Sequence, residues 1–177
     1  MGIKLSDKSP DFSLKGVDGK LYTLDSFRDY KALVVIISCN HCPYVVAYED
    51  RMIEIQRDYM AQGVRLMAIN PNNEITHPED SFDNMVIRAR EKGFNFPYLR
   101  DETQDIPKIL GARYTPEVYL FDQDRRLRYH GRIDDRYVAF GQERPTPTRR
   151  NLEDVLTALA AGKPVRSATA RAVGCYI

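Results

Sequence analysis

ALVVIISCNHCPYVVAYEDRM, residues 32–52, is the stretch whose reading decides the fold. Ala32 to Ser38 is a continuous apolar, β-branched run, as expected of a strand covered on both faces. From Tyr44 to Ala61 the period changes, and Val45, Tyr48, Met52, Ile55 and Tyr59 form one helical stripe among charged residues. The spacing therefore predicts a buried strand followed directly by a core-facing helix, with Gly63 as the helix stop. Between them stands Cys39-Asn40-His41-Cys42, with Pro43 behind it.

Two residues between the cysteines let both sulfurs lie on the first helical turn, close enough to close a small disulfide ring. A helix N-terminus carries unpaired N–H groups and partial positive charge, and both stabilise a thiolate. The thiolate is the species that attacks a disulfide, so one sulfur becomes the nucleophile and the other resolves the mixed disulfide. Pro43 restricts Cys42 and suits an early helical position. His41 can donate a hydrogen bond or add positive charge beside the sulfur. A better-stabilised thiolate means a better-stabilised reduced form, hence a more oxidising disulfide.

Working outward, Pro10–Leu14 and Leu21–Leu24 flank Asp18-Gly19, a strong hairpin signal. Asp25-Ser26-Phe27 begins a helical turn. Val64–Asn70 reads as a second buried strand, Pro78–Lys92 as a helix ending at Gly93, and Asp105–Gly111 as a short helix. Glu117–Asp122 and Leu127–Gly131 read as an antiparallel pair. Asp134–Arg150, with two prolines and many charges, reads as an exposed loop, and Asn151–Ala161 as the last helix. Strands alternating with helices, then an antiparallel edge, imply a mixed sheet with helices on both faces. We expect a single domain over residues 1–177, with the hairpin extension in 1–30 and an irregular tail in 163–177.

The bulk composition excludes several classes. At 43% hydrophobic and 29% charged residues the chain is neither disordered nor membrane-spanning in composition. Lys plus Arg is 26 against 25 for Asp plus Glu, a net charge of +1, which leaves no electrostatic footprint for nucleic acid. The late arginines, Arg125 to Arg150, alternate with acids and read as a mixed-charge solvated face. No run approaches the roughly 20 apolar residues of a membrane span. Met1–Pro10 is polar and does not read as a secretory signal, so the expected location is the cytoplasm. There, thiol pools keep ordinary cysteines reduced, and three cysteines suggest chemistry rather than a stapled scaffold.

Other readings of the same residues weigh less. A C-x-x-C is half of a structural zinc site, but Cys175, His41, His77 and His130 offer no second paired spacing. His77 and His130 read as solvated or satisfied side chains, and Asn40 as shaping the loop. Thr115-Pro116, just ahead of a strand, is by composition an ordinary trans proline at a strand start.

Five segments together resemble the peroxiredoxin-like branch of the thioredoxin superfamily. They are SPDFSLKGVDGKLYTLDSF from Ser9, CNHCPYV from Cys39, FPYLRDETQ from Phe96, TPEVYLFD from Thr115 and VGC from Val173. The resemblance implies a thioredoxin fold, a three-layer α/β/α sandwich with a mixed central sheet and an N-terminal hairpin extension. It implies Cys39 as nucleophile, Cys42 as resolving cysteine, Pro116 as a cis-proline packed on the pair, and Thr115 as a backbone contact for substrate. It also suggests a recurring Gly-Cys tail, and with it a relay between Cys39 and Cys175. Thiol or disulfide substrates, and a reductase or small thiol as electron donor, are the expected partners, with no resident cofactor or metal. Thioredoxins place a buried carboxylate six residues before the first cysteine, where this chain has Leu33. Peroxide reduction is the competing reading. The hydroxyl expected three residues before the cysteine and the proline further upstream are replaced by Ile36 and Ala32. The Thr115-Pro116 region stands where such enzymes carry their arginine. Copper binding by two cysteines and a histidine is a further reading, but those sites space their cysteines by three.

Overall fold

Chain order runs β1 (Ser13–Gly16), β2 (Leu21–Thr23), β3 (Ala32–Ile37), α1 (Pro43–Tyr59), β4 (Val64–Asn70), α2 (Phe82–Lys92) and β5 (Tyr98–Arg100). It continues through α3 (Asp105–Leu110), β6 (Tyr114–Thr115), β7 (Glu117–Phe121), β8 (Leu127–Gly131), β9 (Tyr137–Ala139), β10 (Gln142–Glu143), α4 (Asn151–Ala160) and β11 (Cys175–Tyr176). This computed structural model describes residues 1–165 and 168–177.

Seven strands form one mixed sheet in the order β2-β1-β5-β4-β3-β7-β8. β3 lies parallel to β4 on one side and antiparallel to β7 on the other, so all six of its residues are buried. With a side-chain period of two, Val34 and Ile36 face one layer while Leu33, Val35 and Ile37 face the other. The first layer holds Tyr48, Met52 and Ile55 of α1, Met85 of α2, and Leu152, Val155 and Leu156 of α4. The second holds Ile106 and Leu110 of α3 with Phe27. Each fully buried aliphatic side chain contributes roughly 1.5–3 kcal/mol, so the two layers clamp β3 and fix the height of its C-terminal end. It is from that end that the cysteine turn springs.

Three sequence expectations are corrected, and one strand is added. The N-terminal hairpin joins the main sheet through β5, a three-residue strand that the sequence pattern did not single out. The helix expected from Pro78 starts at Phe82: Pro78–Asp80 is a 3-10 turn, and the Ser81 hydroxyl caps α2 by accepting the Asn84 N–H at 3.2 Å. Residues 134–150 are not a wholly solvated loop. Asp134 and Asp135 are buried, and β9–β10 make a small hairpin against α1. The tail ends in ordered pairing, with β11 antiparallel to β6.

Candidate active site

Ser38 still belongs to the sheet, its N–H donating to Ile69 O at 2.8 Å. The chain then turns, and Cys42 becomes the N-cap of α1 with extended backbone (φ −60°, ψ 124°), as a residue before proline must be. Pro43 takes the first helical position, where no N–H is needed. The Cys42 N–H points back and donates to Cys39 Sγ at 3.4 Å.

Three other segments converge on this turn. The Thr115–Pro116 peptide bond is cis. Thr115, buried on β6, sets its Oγ1 3.5 Å from Cys39 Sγ, and its carbonyl accepts from Cys42 Sγ at 3.3 Å. Cys175, on β11, lies with its Sγ 2.7 Å from that of Cys42. Tyr44, at the start of α1, packs edge-on to Tyr137 at 4.7 Å, and its hydroxyl accepts the Gly141 N–H at 2.7 Å. The β9–β10 hairpin thus walls the site. Cys39 is 2% exposed and Cys42 not at all, so the dithiol is enclosed.

His41 stands on the partly exposed side of the turn, its Nδ1 2.5 Å from Asp80 Oδ2 and 3.7 Å from Glu79 Oε1. Asp80 is fully buried on the 3-10 turn that precedes α2. Its carboxylate accepts the Asn40 N–H at 2.6 Å and the amides of Asn70 (3.2 Å) and Asn72 (2.9 Å). Asn40 Oδ1 in turn accepts the Tyr98 hydroxyl at 2.7 Å, and burial pushes that phenol well above its ordinary pKa, so it remains a donor. Asn40 therefore shapes the loop by tying it to Asp80 and Tyr98. His77 meets His41 edge-on at 5.1 Å. His130 bonds to Glu117 Oε1 at 2.6 Å. Burial works against the Glu117 carboxylate, but His130 and the N–H groups of Arg113 and Tyr114 outweigh it and hold its pKa below the ordinary value.

The bond shared with Cys42, then burial and the Asp80 charge, push the Cys39 thiol up. That same bond outweighs burial and, with Cys175 and the Val45 N–H, draws Cys42 down. The Cys175 thiol is pushed up to about 12, by burial first and then by the Cys42 sulfur. Cys39 Sγ, a His41 ring nitrogen and an Asp80 oxygen lie within 4.8 Å of one another, a three-donor set for a metal ion that falls short of a closed four-ligand zinc site.

A protein-family model described as Redoxin matches residues 4–156. The chain belongs to the Redoxin family. It is similar to a hypothetical protein from Sinorhizobium meliloti 1021, at 33% identity over 100% of this chain and 95% of that one, with a TM-score of 0.92. It is also similar to an uncharacterized conserved protein from Geobacillus kaustophilus, at 36% identity, 98% and 91% coverage and a TM-score of 0.87. A putative thiol:disulfide interchange protein DsbE from Chlorobium tepidum shares the fold at 18% identity, with 90% and 99% coverage and a TM-score of 0.70. No protein of curated function matches the chain. This Redoxin chain has a thioredoxin fold and a thioredoxin-like redox function. No helix among the described residues is long and apolar enough to cross a membrane.

The structure brings Cys39, Cys42, Thr115, Pro116 and Cys175 together, and sets His41 beside them. What sequence reasoning missed is Asp80. Its one signal is indirect: Asn70 and Asn72 close a buried strand, and buried amides need a partner.

Proposed function

We propose that this Redoxin protein is a thiol–disulfide oxidoreductase acting through the Cys39–Cys42 dithiol. The observation that carries the reading is the placement of both sulfurs at the N-terminus of α1, against the Thr115 backbone ahead of a cis proline. Cys39 is the attacking sulfur, because it borders the partly exposed Asn40–His41 turn, whereas Cys42 is enclosed by Cys39, Thr115 and Cys175. As Cys39 attacks a client disulfide, Cys42 accepts its proton, and the leaving sulfur departs as a thiolate. Cys42 then gives that proton up to the departing client sulfur as it attacks Cys39 Sγ, so the second client sulfur leaves as a thiol and a Cys39–Cys42 disulfide remains. His41, set with its Nδ1 2.5 Å from the Asp80 carboxylate, stands beside the pair and favours its reduced form. Clients are protein or small-molecule disulfides, and a small thiol or a reductase restores the dithiol. The expected setting is a reducing compartment, the cytoplasm.

Peroxide reduction is the second reading, and one observation favours it: Thr115 supplies a hydroxyl beside Cys39 that the residues upstream of the cysteine do not. A parallel assay decides between them. Insulin-disulfide reduction and hydrogen-peroxide consumption are measured under the same reductant, with Cys39→Ser as control. Disulfide reduction should dominate and fall at least a hundredfold in the variant; peroxide turnover far above disulfide exchange would reverse the ranking.

A further inference from the structure

The dithiol is covered by the chain's own end. β11 pairs antiparallel with β6, Cys175 opposite Thr115 and Tyr176 opposite Tyr114. Beyond it the Ile177 N–H donates to Arg113 O at 3.1 Å. Val173 and Cys175 pack on the cluster of Cys39, Cys42, Tyr44 and Val45. Upstream, the tail is pinned on β8 through His130 N–H to Ala168 O and Ala170 N–H to His130 O, both 3.0 Å. Two glycines make the close approach possible. A Cβ on Gly174 would come 2.1 Å from Thr115 O, and one on Gly131 would come 2.2 Å from Ala170 O. The outcome is that Cys175 meets Cys42, at 2.7 Å between sulfurs, while Cys39 faces the Thr115 hydroxyl and the Cys42 N–H instead.

We propose that Cys175 is a third redox cysteine whose exchange partner is Cys42, and that β11 is the strap that holds it there. The inference rests on the dithiol reading above. In the oxidised protein the Cys175 thiolate attacks Cys42 Sγ. The Cys42–Cys175 bond forms, the Cys39–Cys42 bond breaks, and the electron pair leaves on Cys39. The proton given up by Cys175 goes to Cys39, so the step is an isomerisation of one disulfide and needs no oxidant or reductant. In the reduced protein the Cys42 sulfur helps to keep the proton on Cys175. Once that sulfur is in a disulfide its charge is gone, and burial alone opposes ionisation. Because both partners sit on one molecule in contact, the step proceeds at a high effective concentration. It regenerates a free Cys39, and it fastens β11 covalently beside the Thr115 backbone, so the oxidised site is closed to clients until an external thiol reopens it.

Trypsin leaves Cys39 and Cys42 together on residues 32–51 and Cys175 on residues 172–177, so peptide mass mapping separates the disulfides. The reduced full chain is oxidised with diamide at high dilution, in wild type and in Cys39→Ser, Cys42→Ser and Gly174→Ala/Cys39→Ser variants. Cys39→Ser should link the two peptides in most molecules, Cys42→Ser at least fivefold less. Gly174→Ala should cut the link severalfold by lifting β11 from β6. Equal or greater linking in Cys42→Ser would overturn the proposal, as would no linking in Cys39→Ser while wild type forms the disulfide within residues 32–51. Wild type forming neither disulfide would instead overturn the dithiol reading, and the inference with it.

Discussion

Asp80 Oδ2 lies 2.5 Å from His41 Nδ1, joining a buried carboxylate that precedes α2 to the ring between the two cysteines. Thioredoxins carry their buried carboxylate on the strand before the cysteines, where this protein has the core residue Leu33. Here a carboxylate reaches the dithiol from a different element, through a histidine. It also ties down the Asn40 N–H and the Asn70 and Asn72 amides, so it orders the cysteine turn as well as charging it.

Removing that carboxylate should therefore loosen the turn. Asp80→Ala takes the acceptor from the half-buried Asn40 N–H and the buried Asn72 amide, and one of two acceptors from the Asn70 amide, and should destabilise the reduced protein by about 3 kcal/mol. Urea denaturation followed by far-UV circular dichroism measures this, and an unchanged midpoint would remove Asp80 as the anchor.

His41 should set the potential rather than the fold. Replacing it with alanine takes the polar ring from beside the pair, disfavours the thiolate and makes the disulfide less oxidising. We expect the Cys39–Cys42 potential to fall by about 30 mV, tenfold in the equilibrium constant. Equilibration with glutathione redox buffers reads it directly, and a potential that stays put or rises would argue against this role.

Tyr48 donates to the buried Asp134 carboxylate at 2.5 Å, binding α1 to the segment that leads into the β9–β10 hairpin. Tyr48→Phe leaves that carboxylate with the Arg136 N–H at 2.9 Å but without its hydroxyl partner. A loss of roughly 1–3 kcal/mol is expected. Alkylation of Cys42 should quicken as the wall loosens; a variant as stable and as slowly alkylated as wild type would contradict this linkage.

Acid should unfold the protein partly through Asp135. Burial works against its carboxylate, but the Thr148 hydroxyl and the N–H groups of Arg149 and Thr148 outweigh it and hold the pKa down at about 2. An unfolded aspartate titrates near about 3.9, so the folded state binds the proton less tightly. This contribution, on the order of 2 kcal/mol, is complete above about pH 4 and is lost as pH falls through about 2. Asp135→Asn should be less stable at neutral pH, with a flatter loss of stability between about pH 4 and 2. Parallel pH-denaturation curves for the two proteins would refute it.

The strand–turn–helix from Ala32 to Tyr59 was legible because two periodicities meet there, and burial on both faces of β3 demands an unbroken apolar run. Other short elements were not, where no turn signal or helical period marks them. β5 has three residues and owes its place to pairing with β4 and β1, which no local pattern announces. The 134–150 segment reads as polar because Asp134 and Asp135 are charged, yet both are buried by partners distant in sequence or supplied by the loop itself.

By itself, then, the sequence determined the C-x-x-C pair at a strand-to-helix junction, since local periodicity and a proline at the first helical turn specify it. Which groups surround those sulfurs was decided only in three dimensions. Asp80 arrives because β4 lies parallel to β3 and its following turn closes over the same sheet end. Cys175 arrives because β11 pairs with β6, 133 residues from Cys42 along the chain. Contacts over such distances depend on sheet order and register, and these are settled by the packing of the whole core.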